Sequence, residues 1–405
     1  MKNKLKISDI AILNQSSLQA TESYDFINYL DTSSITKGVI ENWQLLDNNF
    51  PSRAKRKIKK NSIVYSTVRP NQEHFGYFEE VKLKNCIVST GFTVIDVVSN
   101  EVDSKFLYYL LTQKWVTNYL HTIAENSVSA YPSINPSELG NLEFSFPDLS
   151  IQVKISNILS SIDKKISINN QINDNLEALA KTIYDYWFVQ FDFPDENGKP
   201  YKSSGGRMVY NEVLKREIPI DWEVKKLYEV SNITMGQSPS GGSLNKDQDG
   251  IFFFQGSTDF GWRYPANRVF TNAPTRFAKE NDILLSVRAP IGAINLSFSK
   301  CCIGRGLAAL NSKQGFSSFL LYQMNYFKKK FDLLNSVGTT FGSLTKDELH
   351  NLVLAYPSID ILAMFEKKVS ILDIKVKNNS IQNQQLTKLR DWLLPMLMNG
   401  QVSVK

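Results

Sequence analysis

The chain is 405 residues long, which at roughly 150 residues per domain predicts two or three domains, and its 42% hydrophobic and 21% charged residues suit a folded protein rather than a disordered one. No stretch approaches the roughly 18 uncharged apolar residues that cross a bilayer, and the opening MKNKLKISDI lacks a signal-peptide core, so a cytoplasmic protein without membrane contact is expected. Three cysteines (Cys86, Cys301, Cys302) and three histidines (His74, His121, His350) stand at no metal-ligand spacing, which argues against a disulfide scaffold or a bound metal.

The net charge of +6 is mild, and its distribution is more informative than its size. Residues 201–357 carry +6 and 358–405 carry +3, whereas 1–150 and 151–200 are slightly acidic. In chain order, a first globular region (1–147) opens the chain. It contains a basic run in a loop, Arg53 to Lys60 (RAKRKIKK), then a β-branched run Ile63 to Val68 ending at Arg69-Pro70. A helical stretch Lys105 to Thr122 and a polar loop Ser127 to Tyr131 follow.

A long helix is predicted over 148–193. Ile155, Leu159, Ile162, Ile166, Asn169, Asn173, Leu176, Ala180, Ile183 and Trp187 alternate steps of four and three, which is a heptad seam. Phe191 to Pro194 ends the periodicity, and 194–207 reads as a polar linker with Pro and Gly. A second globular region (208–357) has its own β-branched run, Ile283 to Val287, a helical stretch Ser317 to Leu334 and a polar loop Gly338 to Phe341. The last segment, 358–405, is a second long helix: adding 210 to each seam position gives Phe365, Val369, Leu372, Val376, Asn379, Asn383, Leu386, Arg390, Leu393 and Leu397. Both asparagines recur.

The chain is therefore an internal repeat. Upstream of the helices the pairing continues with a drifting offset: Leu5–Ile10 with Lys225–Val230, Asn61–Ser66 with Asn281–Ser286, Gly91 with Gly306, and Phe106-Leu107 with Phe319-Leu320. The expected architecture is α+β: two repeated α/β domains separated by two long antiparallel coiled-coil helices, pseudo-twofold. A chain that ends each domain with a helix places the domains at opposite ends only if the helices run in opposing directions. That direction sets Asn169 beside Asn383 and Asn173 beside Asn379, where paired asparagines fix register at some cost in stability.

Signatures of catalysis are missing. There is no phosphate loop, no GxGxxG after a strand, no GxSxG elbow, no HExxH and no Asn-Pro-Pro-aromatic motif of an amino-methyltransferase. Asp221-Trp222-Glu223-Val224-Lys225 superficially matches a nuclease cluster, but its Asp is too close to stand on a separate strand, so it reads as a turn into the next strand. Vicinal Cys301-Cys302 reads as packing rather than redox chemistry, and His74, alone in a polar loop, as solvated.

Several segments resemble the specificity subunits of type I restriction-modification systems. They are Ile162–Ile166 (IDKKI), Asn175–Lys181 (NLEALAK), Asp185–Pro194 (DYWFVQFDFP), Ile218–Leu227 (IPIDWEVKKL), Gly236-Gln237-Ser238-Pro239, and Leu389–Gly400 (LRDWLLPMLMNG). The first region departs from the family in having only Gln15-Ser16-Ser17 where Gly-Gln-Ser-Pro is expected. The resemblance implies a non-catalytic DNA-reading subunit: each globular region is a target recognition domain for one half of a split, asymmetric site. The helices hold the halves apart. Two methyltransferase subunits and two ATP-dependent restriction subunits are the implied partners. S-adenosylmethionine, ATP and Mg are expected on those partners and no cofactor on this chain.

Phosphate contacts give affinity, and side chains at base edges give sequence preference, with Arg to guanine and Asn or Gln to adenine favoured. Candidates in the first region are Arg53, Lys55, Arg56, Lys57, Lys59 and Lys60 for phosphates and Arg69, which projects from a strand end. In the second they are Gln237, Ser238, Arg263, Arg268, Arg276, Arg288 and Arg305. Each arginine alone also fits a surface ion pair. Arg288 aligns with Val68 rather than Arg69, so the two regions are expected to read DNA differently. Two rival readings stand beside this one: an undetected methyltransferase or nuclease, and an orphan or architectural coiled-coil DNA binder.

Overall fold

The computed structural model describes residues 4–19, 21–47, 49–127, 131–336 and 343–404. Residues 128–130 and 337–342, which include most of the two polar loops singled out above, lie outside the described residues. The chain divides into two units, 1–169 with 381–405 and 170–380. Both boundaries fall inside the long helices, so each unit is a globular region with half of each helix rather than a globular region alone.

In the first unit, one four-stranded sheet has the order Ala11–Leu13, Phe92–Val97, Ser62–Ser66, Phe75–Phe78. A second has the order Gln44–Asp47, Phe26–Leu30, Cys86–Ser89, Ala54–Lys57, with Cys86–Ser89 parallel to Phe26–Leu30. The second unit repeats the plan: Ser231–Met235, Leu307–Ser312, Ile283–Ser286, Ile294–Leu296 in one sheet, and Ile251–Phe254 parallel to Cys301–Ile303 in the other. Strand Phe277–Ala278 then takes the place of Ala54–Lys57. Half of the basic run, Ala54–Lys57, is thus an edge strand and not a loop, which corrects the reading from sequence. Ala54 packs against Ile27, Tyr29 and Ile87, Lys55 is exposed, and Arg56 and Lys57 are half-buried on the strand's two faces.

The long helices span Leu149–Tyr184, finished by a π turn over Asp185–Val189, and Ile359–Met398. In the first unit Asn169 Nδ2 donates to Asn383 Oδ1 at 2.8 Å and to Gln382 Oε1 at 2.7 Å. In the second, Asn379 Nδ2 donates to Asn173 Oδ1 at 2.9 Å. In the first unit Asp163 meets Arg390 and Asn169 meets Asn383, and in the second Asn173 meets Asn379 and Trp187 meets Phe365, so within each unit the partner number falls as the helix number rises, which is the antiparallel register.

The first unit's core joins Phe106, Leu120, Phe144 and Phe146 to Ile155 and Leu159 of one helix and Leu397 of the other. The second unit's core gathers Tyr184, Trp187, Phe188, Trp222, Phe319 and Phe365. Residues 194–206 are not a loose linker. Tyr201 stacks on Phe193 at 4.7 Å, Phe193 stacks on Trp222 at 5.3 Å, and Asp192 accepts from Ser203 N and Oγ, so aromatic burial and a carboxylate cap fold the segment back. Cys86, Cys301 and Cys302 are free and buried, and burial pushes the Cys301 thiol up to about 12, as packing cysteines require. No helix among the described residues is long and apolar enough to cross a membrane.

Candidate nucleic-acid interface

Each unit brings several of its candidate residues to the turn between two core strands that belong to different sheets. In the second unit this turn is Gly304-Arg305-Gly306. Gln237 N donates to Ile303 O at 3.0 Å, Ile303 N to Arg276 O at 2.9 Å, and Val287 N to Gly306 O at 2.9 Å, which brings Gln237, Arg276 and Arg288 to one place. Ser238 Oγ accepts from Arg305 N at 3.3 Å and donates to Gln255 Oε1 at 2.8 Å. Glycine is required where backbones meet this closely: a Cβ on Gly236 would lie 2.1 Å from Gly304 O, and one on Gly306 2.5 Å from Gln255 O. Gln237, Arg276, Arg288 and Arg305 are exposed.

The corresponding turn in the first unit is Ser89-Thr90-Gly91. Thr90 N donates to Arg53 O at 2.8 Å and Thr67 N to Gly91 O at 2.8 Å, so the basic strand and the segment leading to Arg69 meet there. Loop 15–18 runs beside the basic strand: Lys57 N donates to Ser16 O at 3.0 Å, Leu18 N to Lys55 O at 2.7 Å, and Arg56 Nη1 to Ser17 Oγ at 3.0 Å. Loop 15–18 is thus held by the basic edge strand, whereas Gln237 is held by Ile303 of the strand next to the turn. Ser66 Oγ donates to Val68 O and Ser286 Oγ to Arg288 O, and Val68 and Arg288 bridge to Ser133 and Ser343, so Arg288 matches Val68 and Arg69 has Ala289 as its counterpart.

Charge is not equally available across the set. Lys57 Nζ lies 2.5 Å from Glu22, and that hydrogen bond raises the Lys57 pKa and lowers that of Glu22. Lys59 Nζ binds Gln15 Oε1 at 2.7 Å and lies 3.6 Å from Asp96. Arg268 is ion-paired with Asp259. Arg53, Lys55 and Lys60 are exposed and, among the described residues, have no carboxylate partner.

Arg263 is a correction. It is 5% exposed, and its guanidinium is tied to Asp373 and, at 3.3 Å, to Glu177, one residue from each long helix. Burial alone would lower its pKa, but Asp373 above all outweighs it and holds the group firmly cationic. Arg263 fastens its loop to the helices, and its buried, paired guanidinium is not open to an outside partner. The first unit has an analogous network with a different arginine: Tyr109 Oη donates to Asp163 at 2.7 Å and Arg390 Nη1 to Asp163 at 2.9 Å.

Sequence reading missed Gln255, which directly follows a buried strand, and Thr275, whose hydroxyl donates to Gln237 O. A polar residue at the end of a core strand was the available signal for Gln255. The neutralising partners Glu22 and Asp259 carry no local signal at all.

The doubled turn, with basic and amide side chains gathered on a repeated α+β scaffold, defines a two-unit binding protein. Over residues 2–178 and 219–390 the chain matches the type I restriction modification DNA specificity domain, and it belongs to that family. It is 29% identical to a protein of Methanocaldococcus jannaschii assigned as the MjaX type I restriction enzyme specificity subunit, over 99% of this chain and 93% of the relative. It is 27% identical to the HindI type I restriction enzyme specificity subunit of Haemophilus influenzae, over 96% and 98%. The crystal structure of the type I restriction-modification S subunit from M. genitalium shares the fold at a TM-score of 0.61 and 17% identity, covering 98% of this chain and 96% of that one.

Proposed function

We propose that each unit reads one half of a split, asymmetric DNA site around its own turn, and that the chain carries out no chemistry itself. The observation that carries this reading is the repetition of the cluster. Two units with different residues on the same backbone plan, Arg53, Lys55 and Arg69 in one and Gln237, Arg276, Arg288 and Arg305 in the other, suit two unlike half-sites. Arginine matches guanine and Gln237 and Gln255 match adenine, while the exposed lysines contact phosphate.

In this reading the chain scaffolds two methyltransferase subunits and, in a restricting system, two ATP-dependent restriction subunits. S-adenosylmethionine, ATP and Mg act on those partners. The test is to co-express the chain with a type I methyltransferase subunit and map methylated adenines by single-molecule sequencing. A bipartite motif that appears only when both proteins are present is expected. Methyl transfer by this chain alone on labelled S-adenosylmethionine would overturn the non-catalytic assignment, and failure to bind any methyltransferase subunit would favour an architectural DNA binder.

A further inference from the structure

Among the candidate basic residues of the first unit, Arg69 is the one that joins a left-handed backbone to an aromatic contact without a carboxylate partner. Its φ of +48° lies in the left-handed region, which bulky residues seldom occupy. Its N–H donates to Pro132 O at 2.8 Å, and its carbonyl accepts from Gln72 N at 2.9 Å, so the backbone is fixed on both sides. Val68 bridges to Ser133 and Ile134 N donates to Thr67 O at 2.9 Å, which zips the segment before Arg69 to the segment that follows Tyr131. The guanidinium lies over the Tyr131 ring, 5.1 Å from its centroid, and Tyr131 is itself 60% exposed. Among the described residues no carboxylate pairs with Arg69, in contrast to Lys57, Arg263 and Arg268.

An exposed arginine ordinarily samples many rotamers and loses that freedom on binding. Contact with an aromatic face removes part of that freedom beforehand and favours guanidinium planes that lie against the ring. A bidentate contact to guanine O6 and N7 demands a defined plane, whereas a phosphate contact does not. We propose that Arg69 selects a guanine in the half-site read by the first unit, and that Tyr131 is its positioning residue. The second unit has Ala289 at the counterpart of Arg69, so this selection belongs to one half only.

The proposal rests on the DNA-reading function above, and the test separates the two. The full chain, co-expressed with its methyltransferase partner, is compared as wild type, Arg69→Lys, Tyr131→Ala and Tyr131→Phe by sequencing methylated DNA from a library with a randomised site. Thermal melts check that each variant folds. Arg69→Lys keeps the charge but loses the fork, and should relax preference at one guanine of one half by roughly ten- to a hundredfold. Tyr131→Ala should relax the same position less, Tyr131→Phe, which keeps the ring, less still, and the other half should not change. A first-half motif without guanine, unchanged preference in both Arg69→Lys and Tyr131→Ala, or a uniform loss of methylation without a change in base preference would overturn the assignment. If the wild-type chain directs no bipartite methylation at all, the DNA-reading function fails first.

Discussion

Arg263 shows how a residue that reads as a DNA contact can be structural. The segment Gly261-Trp262-Arg263-Tyr264 has the look of a projecting basic loop, but the carboxylates that receive its guanidinium lie 86 and 110 residues away, beyond any local pattern. Replacing Arg263 with Met leaves Asp373 and Glu177 facing each other without a cation, at a cost of about 3 kcal/mol, the lower end of the range for breaking a buried pair because Glu177 is partly exposed. The variant's thermal midpoint should fall, and Arg263→Met combined with Glu177→Gln and Asp373→Asn should recover much of the loss. An Arg263→Met protein that melts like wild type but binds DNA with a flatter salt dependence would return Arg263 to the interface. Among the remaining basic residues, pairing decides the outcome. Removing Arg53, Lys55 or Lys60 should each reduce the slope of log affinity against log salt by about 0.9 for every phosphate left without its cation, measured on the assembled methyltransferase. Lys57→Ala should change it less, because Glu22 already neutralises that charge. Equal effects at Lys55 and Lys57 would show that the Glu22 pair opens on binding.

At the scale of elements, what was legible in the sequence was what is periodic. The heptad seam, its repeat at 210 and the asparagine register could be read because each depends on spacing along one helix and on the direction of its partner. The turns that gather the candidate residues could not, since Gln237 reaches Ile303 and Thr90 reaches Arg53 through backbone hydrogen bonds across dozens of residues. The edge strand Ala54–Lys57 carries no strand signal of its own, because consecutive basic residues resemble a solvated segment. The asparagines permit a sharper test. Asn173→Leu removes the acceptor of Asn379, which is 6% exposed, and an amide left without its partner costs about 1–3 kcal/mol. Joining Asn173→Leu with Asn379→Leu replaces the pair by apolar contact and should be more stable than Asn173→Leu alone, so that the two changes are strongly non-additive in denaturant unfolding. Additive losses would mean that the two amides do not depend on each other.

At the scale of the whole molecule, the long helices are the chain segments through which one unit passes into the other, since the unit boundaries fall at 169/170 and 380/381. Seven residues preserve the seam because the apolar period is 3.5, whereas four rotate every later position off the seam. Insertion of one heptad into each helix at these boundaries therefore keeps Asn169 on Asn383 and Asn173 on Asn379, and lengthens each helix by about 10 Å at 1.5 Å per residue. Against a DNA rise of about 3.4 Å per base pair, that length corresponds to roughly three base pairs. If the helices set the length of the unread spacer, the methylated motif of the double insertion should keep both half-sites and gain about three unspecified positions between them. A four-residue insertion in each helix is a stutter that the pair meets by local unwinding, so it should cost more stability than the heptad and lengthen the spacer by less. A motif whose spacer is unchanged by the heptads, in a protein that melts cooperatively and still methylates, would show that something other than helix length separates the two half-sites.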